Sequence, residues 1–171
     1  MNKKLDEAAV DEIYFQLSDA VKETVSEITK PIDDIVQELS KGINLFSNSE
    51  LWDFQMRLGV EAYRLSNMKE LSALKDACAE ALYKEGLAKA YAEASGAAET
   101  KKQASVLATI EKQAVSMLYN SIASILKTKL DEAHRLVNII QNIQISRAAE
   151  AKQNSSPRSE GDNINFNTQS I

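Results

Sequence analysis

Apolar residues recur near the start of the chain with the spacing of an α-helix. Acidic residues are frequent at the positions between them. The apolar members are Val10, Tyr14, Leu17, Val21, Val25 and Ile28. Because a helix turns once in 3.6 residues, these side chains share one face, and the pattern predicts an amphipathic helix over about residues 5–29. Pro31 disfavours continuation, so a kink or a new helix is expected there, within an N-terminal unit of acidic helices at residues 1–42.

Helix signals continue in the middle of the chain. Ser47 precedes Glu50 by three residues, which is the spacing of a capping box and predicts a helix from about residue 49. Asn67 and the glutamate that follows at position 70 repeat a cap-like spacing, so a break is predicted there, with a further helix from 68 to about 95 that reverses near Gly96. The expected core stripe of that helix is Leu71, Leu74, Cys78 and Leu82, followed by Leu87 or Tyr91.

A segment of 60 residues, from Ala97 to Ser156, contains neither glycine nor proline. It predicts one helix from about Glu99 to Ala149, roughly 75 Å long at 1.5 Å per residue. Its apolar stripe is wider than one neighbouring helix would cover, so it is a candidate oligomer interface. The residues assigned to that interface are Val115, Leu118, Ile122, Leu126, Leu130, Val137, Ile140 and Ile143. The apolar spacing is no strict heptad, which leaves stoichiometry, and packing within or between chains, open.

Composition supports an all-α fold. With 5 glycines and 2 prolines in 171 residues, the chain lacks the turn signals of a β-sandwich or barrel, and the glycines are too scattered for a nucleotide-binding loop. We therefore expect an elongated helical bundle or coiled coil in which residues 43–149 form a hairpin or bundle with a very long C-terminal helix. Residues 150–171 are expected to form a flexible tail. The alternating run at 163–167 is either disordered or docks as a short strand.

Charge is distributed unevenly. Residues 1–100 hold 19 acidic against 11 basic residues, whereas residues 101–171 hold 6 against 9. The acidic part is therefore expected to pack near the basic helix, within one chain or between copies. A less favoured alternative is that this helix contacts nucleic acid. The candidate contacts are Lys101, Lys102, Lys112, Lys127, Lys129 and Arg135.

A cluster of large side chains marks a second candidate interface. It consists of Trp52, Phe54, Met56 and Tyr63, and these residue types often anchor protein interfaces. The alternative interpretation is a stacking surface for single-stranded nucleic acid, made of Trp52, Phe54, Tyr63 and Tyr83 with Arg57 and Arg64.

The sequence contains little catalytic equipment. His134 is its single histidine and stands among charged residues, which favours a solvated helix surface over a catalytic base. Its spacing from Asp131 fits half of a di-iron site, but the second histidine is missing. Cys78 stands in a leucine stripe and is expected to be a small buried residue. We expect no enzyme activity, no metal site and no cofactor.

The N-terminus has no continuous apolar stretch of the kind that a Sec signal peptide needs, and no run of 18 apolar residues occurs. We expect a chain without a membrane span, located in the cytoplasm or incorporated into an assembly. The predicted function is self-assembly as a structural or adaptor protein, as in phage or secretion-apparatus assembly. Two alternatives stay open: a nucleic-acid-binding adaptor of the packaging type, and a partner-binding regulator or chaperone.

Overall fold

A computed structural model describes residues 7–155 of the chain. The described part is all-α. Helix α1 spans Glu7–Ser40, α2 spans Asn48–Glu93 and α3 spans Ala98–Ser155, with a short 3-10 turn at Ile43–Leu45 between the first two. Helix α3 is 58 residues long. The predicted fold class is therefore confirmed at the level of an all-α helical bundle.

The three helices lie side by side. Asp76 on α2 contacts Ser116 on α3, and Asn48 contacts Arg147, so these two helices are antiparallel. Helix α1 follows the direction of α3, because its residue Leu17 lies against Ala114 and a later residue, Asp33, against Lys129. Gly96 has a φ of 111°, which only glycine adopts without strain, and it makes the reversal between α2 and α3. The predicted reversal point is confirmed.

Helix α1 runs through Pro31 without interruption, so of the two predicted alternatives, a kink or a new helix, no new helix begins there. Proline has no amide proton and cannot bond to the carbonyl of Glu27 four residues earlier. On the same helical turn, the guanidinium of Arg64 on α2 donates a hydrogen bond to the carbonyl oxygen of Ile28. Packing against α2 thus supports α1 where the proline weakens it.

The connection between α1 and α2 is closely fixed. Gly42 adopts a φ of 127° just after α1 ends. The capping box predicted for Ser47 is present: Glu50 Oε2 accepts from the backbone nitrogen of Ser47 at 2.7 Å, while the Ser47 hydroxyl accepts from the nitrogen of Glu50. The hydrogen bonds that Ser47 donates to the carboxylate of Glu50 stabilise its charged form and lower the pKa of Glu50.

The main hydrophobic core joins the first half of α2 to the second half of α3, with α1 covering both. Its fully buried members include Ile32, Leu51, Leu58, Leu65 and Leu126. On α2 the three leucines stand seven residues apart, which keeps them on one face of the helix. Removing these side chains from water stabilises the fold by about 25 cal/mol for each Å² of apolar surface that is buried.

In the other half of the α2–α3 pair, the same seven-residue spacing continues with small residues. Leu51, Leu58 and Leu65 are followed on α2 by Ser72, Ala79 and Gly86, of which the last two are buried. The facing residues on α3 include the buried Ser105 and Thr109. Small side chains let the two helix backbones approach closely. A bond from the Ser116 hydroxyl to Asp76 Oδ1, 2.6 Å long, crosses the same seam.

The predicted break at Asn67 is wrong, because α2 continues through it to Glu93. Leu65 before Asn67 and Ala79 after it are both buried against α3. This packing outweighs the preference of the cap-like residues for a helix end. Helix α3 continues to Ser155, into the segment predicted as a flexible tail. The rest of that tail, including the alternating run at 163–167, lies outside the described residues.

Candidate protein interface

The α3 residues predicted as an oligomer interface lie mostly inside one chain. Ile122, Leu126 and Ile140 are buried in the core, and Leu118, Leu130, Val137 and Ile143 pack against it. Val115 is 45% exposed. The apolar surplus of α3 is therefore covered largely by α1 and α2 of the same chain. The stripe is wider than one neighbouring helix would cover because α3 has two neighbours within the chain, α1 and α2.

The cluster predicted around Trp52 divides between two faces of α2. Phe54 is buried and meets Phe46 edge-on, with ring centroids 5.0 Å apart. Trp52, Met56 and Tyr63 point away from the core and are 58%, 57% and 74% exposed. Three of the four predicted residues therefore form part of an open surface, whereas Phe54 belongs to the core.

The core stripe predicted for the second half of α2 is wrong. Leu71, Leu74, Cys78 and Leu82 are all exposed. In this half α2 turns its small residues, Ala79 and Gly86, toward α3, and the leucines lie outside this contact, exposed. The prediction followed residue size, but the helix pair selected the face that allows closer approach.

Together these exposed residues form one continuous strip along the outer face of α2, which we call the α2 stripe. Successive members are three or four residues apart, so each lies next to the one before it on the surface of the helix, outside the residues buried against α3. The members are Trp52, Met56, Val60, Tyr63, Asn67, Leu71, Leu74, Cys78 and Leu82, and each of them is exposed. The stripe contains no charged residue, and Asn67 is its polar member.

An open groove borders the stripe where α1 runs alongside α2. It encloses about 480 Å³ and is lined on the α2 side by Met56, Arg57, Val60 and Glu61. Arg57 Nη2 lies 3.7 Å from a carboxylate oxygen of Glu38 on α1. The groove widens the apolar surface at one end of the stripe and gives it a charged edge.

The six basic residues considered for nucleic acid do not form one surface. Lys129 is held between two carboxylates, with Nζ 2.6 Å from Asp33 Oδ1 and 3.0 Å from Glu132 Oε2. Hydrogen bonding to Asp33 raises the pKa of Lys129. Lys112 lies over Gly86 at the α2–α3 seam. Lys101 is partly buried, while Lys102, Lys127 and Arg135 are exposed. At 100° per residue these last three lie within about 80° of one another around α3, but Lys102 is 25 residues, or about 37 Å, from Lys127 along the helix.

The described part of the chain brings together no set of side chains suited to holding a metal ion. Between residues 7 and 155, no cluster of three or more histidine, cysteine, aspartate or glutamate side chains is placed to hold a metal ion. His134 is exposed on α3. Cys78 is exposed as well, contrary to the burial expected for it. The same described residues include no helix with the length and apolarity needed to cross a membrane.

The comparisons with known proteins identify no relative: no family model matches the chain, and neither the curated proteins nor the solved structures contain a significant match.

Proposed function

We propose that this chain is a non-enzymatic, self-associating helical protein with a structural or adaptor role, and that it associates through the α2 stripe. The observation that supports this is the continuous exposure of large apolar side chains along one face of α2. A soluble monomer rarely exposes a contiguous apolar patch of more than a few hundred Å². Covering such a strip with another protein surface removes it from water and favours association.

The proposal moves the interface from α3, where the sequence pattern suggested it, to α2. The α3 residues Ile122, Leu126 and Ile140 already have partners inside the chain. The members of the α2 stripe are exposed and none belongs to the buried core, so association there leaves the three-helix core intact. Its Trp52 and Tyr63 are residue types that concentrate binding energy at interfaces.

We further propose an elongated architecture with coiled-coil packing between α2 and α3. The seven-residue recurrence of core positions on α2, from Leu51 through Leu65 to Ala79, supports it. A helix of 58 residues corresponds to roughly 87 Å at 1.5 Å per residue, which suits a rod that spaces or links components. The setting we propose is a cytoplasmic assembly, such as that of a phage or a secretion apparatus.

The experiment is to measure mass by light scattering coupled to size-exclusion chromatography, for the wild type and two variants. Leu74→Asp places a charge in the α2 stripe. Ile145→Asp places the same charge at an exposed apolar position of α3 and is the matched control. We expect a multimer of the 18.9 kDa chain for the wild type and Ile145→Asp, and a monomer for Leu74→Asp.

Circular dichroism checks that both variants keep the helix content of the wild type. A wild type that is monomeric at tens of micromolar overturns self-association. A multimer that survives Leu74→Asp but dissociates with Ile145→Asp overturns the assignment of the interface to α2.

A further inference from the structure

The α2 stripe has the same spacing in both directions along the helix. Starting from Trp52, its members follow at intervals of 4, 4, 3, 4, 4, 3, 4 and 4 residues, ending at Leu82. The sequence of intervals is symmetrical about Asn67. Trp52 and Leu82 are both 15 residues from Asn67, and Val60 and Leu74 are both 7 residues from it.

Such a pattern matches the requirement of a two-fold interface. In a symmetric dimer the same surface meets itself, so each residue must suit the residue related to it by the axis. When two α2 helices lie antiparallel with Asn67 at the axis, residues equally distant from Asn67 come level with one another. Every apolar member of the stripe is then level with another apolar member.

We propose that the occupant of the α2 stripe is a second copy of this chain, packed antiparallel about a two-fold axis that passes beside Asn67. This inference rests on the proposed self-association and adds its partner, direction and register. Val60 then lies level with Leu74 of the second copy, Met56 with Cys78, and Trp52 with Leu82.

Asn67 provides a reason for this register. Its side-chain amide has both a donor and an acceptor, so two Asn67 side chains at the axis satisfy each other by hydrogen bonding. Any shifted register would place this amide against Leu71 or Tyr63 and leave it without a partner in an apolar surface, which is costly. A single polar residue in an apolar helix interface is a known means of fixing register.

The exposed area of the stripe also suits one additional helix. Its seven large apolar side chains are between 55% and 74% exposed. At roughly 200 Å² for a large side chain, this leaves on the order of 800 Å² per copy, which is the share of one partner in an interface of standard size. The charges of α2 do not oppose this register. Arg64 is level with Glu70 of the second copy, and Glu50 with Lys84, so like charges do not stand at the same level.

Disulfide cross-linking tests the geometry in full-length protein. In a Cys78→Ala background, Asn67→Cys is expected to form a cross-linked dimer with itself. Val60→Cys and Leu74→Cys are each expected to cross-link poorly alone, because equivalent residues are 14 positions, or about 21 Å, apart along the pair. An equimolar mixture of these two variants is expected to give the cross-linked dimer, at least tenfold more than either alone.

A second variant uses the native cysteine. Met56→Cys with Cys78 retained is expected to give a dimer joined by two disulfides. Circular dichroism and mass measurement under reducing conditions verify that each variant folds and associates.

The outcomes separate this inference from the proposed function. If the reduced wild type is a dimer but Val60→Cys cross-links efficiently with itself, the helices are parallel, and the antiparallel arrangement is wrong while self-association survives. If the dimer forms and no stripe cysteine cross-links, a different surface holds it. If the chain is a monomer, both the inference and the proposed function are overturned.

Discussion

Lys129 Nζ lies 2.6 Å from Asp33 Oδ1, and this ion pair fastens the basic helix α3 to the acidic helix α1. The Thr29 hydroxyl donates to the other oxygen of Asp33, at 2.9 Å, and orients the carboxylate. The acidic part of the chain therefore contacts the basic helix through this ion pair, within one molecule.

Replacing Lys129 with methionine is expected to destabilise the fold by about 1 kcal/mol near neutral pH. The partners Asp33 and Glu132 favour the protonated amine, so the pKa of Lys129 is raised in the folded state. Its contribution is complete below the unfolded lysine pKa of about 10.4 and disappears as the pH rises through the higher folded pKa.

Urea titration at pH 7 and pH 11 measures how much Lys129→Met lowers the free energy of unfolding. The difference between wild type and Lys129→Met should shrink at the higher pH. Lys127→Met, two residues away and exposed, is the control and should change stability by less than about 0.5 kcal/mol at either pH. A pH-independent difference would show that Lys129 acts by packing rather than by charge.

Gly86 is buried where α2 packs against α3. A Cβ at this position would lie 2.8 Å from Lys112 Nζ and 3.3 Å from the methyl carbon of Thr109. The lysine can move, but the buried threonine is packed and can move little. Gly86→Val is therefore expected to destabilise the helix pair by about 1–3 kcal/mol through overpacking.

Gly59 is the matched position on the same helix, because a Cβ there meets nothing within 4 Å. Gly59→Val is expected to be neutral or slightly stabilising, since glycine is the poorer helix former. Both substitutions are best compared in a Leu74→Asp background, so that association does not contribute. Equal losses of stability for the two variants would contradict close packing at Gly86.

Sequence patterns located the elements better than the faces they bury. The caps at Ser47 and Gly96 depend on local backbone geometry, which neighbouring residues specify directly, and both are found where predicted. The orientation of α2 beyond Leu65 depends on α3. Ala79 and Gly86 gave no apolar signal, so size alone favoured Leu74 as the core residue. A search for small residues seven positions apart would have found the buried face.

At the candidate interface, too, the sequence does not show which face of the helix is buried. The exposure of Trp52 and Tyr63 agrees with an interface role that residue type alone suggested, whereas Leu71 and Leu82 were assigned to the core. On α3 the positions that repeat every seven residues hold serine, threonine and alanine as well as leucine. The apolar residues taken alone therefore show mixed spacings. The apolar spacing of α3 does not predict α1 as its second partner, although the unequal charge of the two parts of the chain favours such a contact.

Arg147 is expected to hold the α1–α2 connection in place. Its guanidinium donates to the carbonyl oxygens of Asn44 and Phe46, at 3.0 and 2.8 Å, and to Asn48 Oδ1 at 3.1 Å. A lysine cannot reproduce this planar set of donors. Arg147→Lys should therefore cost about 1–2 kcal/mol and accelerate amide hydrogen exchange at residues 43–48. Arg135→Lys, at an exposed position of α3, is the control and should leave exchange in that loop unchanged.

Leu126 and Ile125 are neighbours that test whether the long stripe of α3 is core or interface. Leu126 is fully buried, whereas Ile125 is 37% exposed. If Leu126 belongs to the core of a single chain, Leu126→Ala removes buried methyl groups and leaves a cavity. The expected loss is about 2–5 kcal/mol. Ile125→Ala should lose considerably less.

Since the packing of Leu126 is within the chain, the stability lost on Leu126→Ala should not depend on protein concentration. Urea unfolding in the Leu74→Asp background, at micromolar and at hundredfold higher concentration, measures it. A loss that appears only at high concentration would return Leu126 to an interface between chains, because association contributes to stability by mass action.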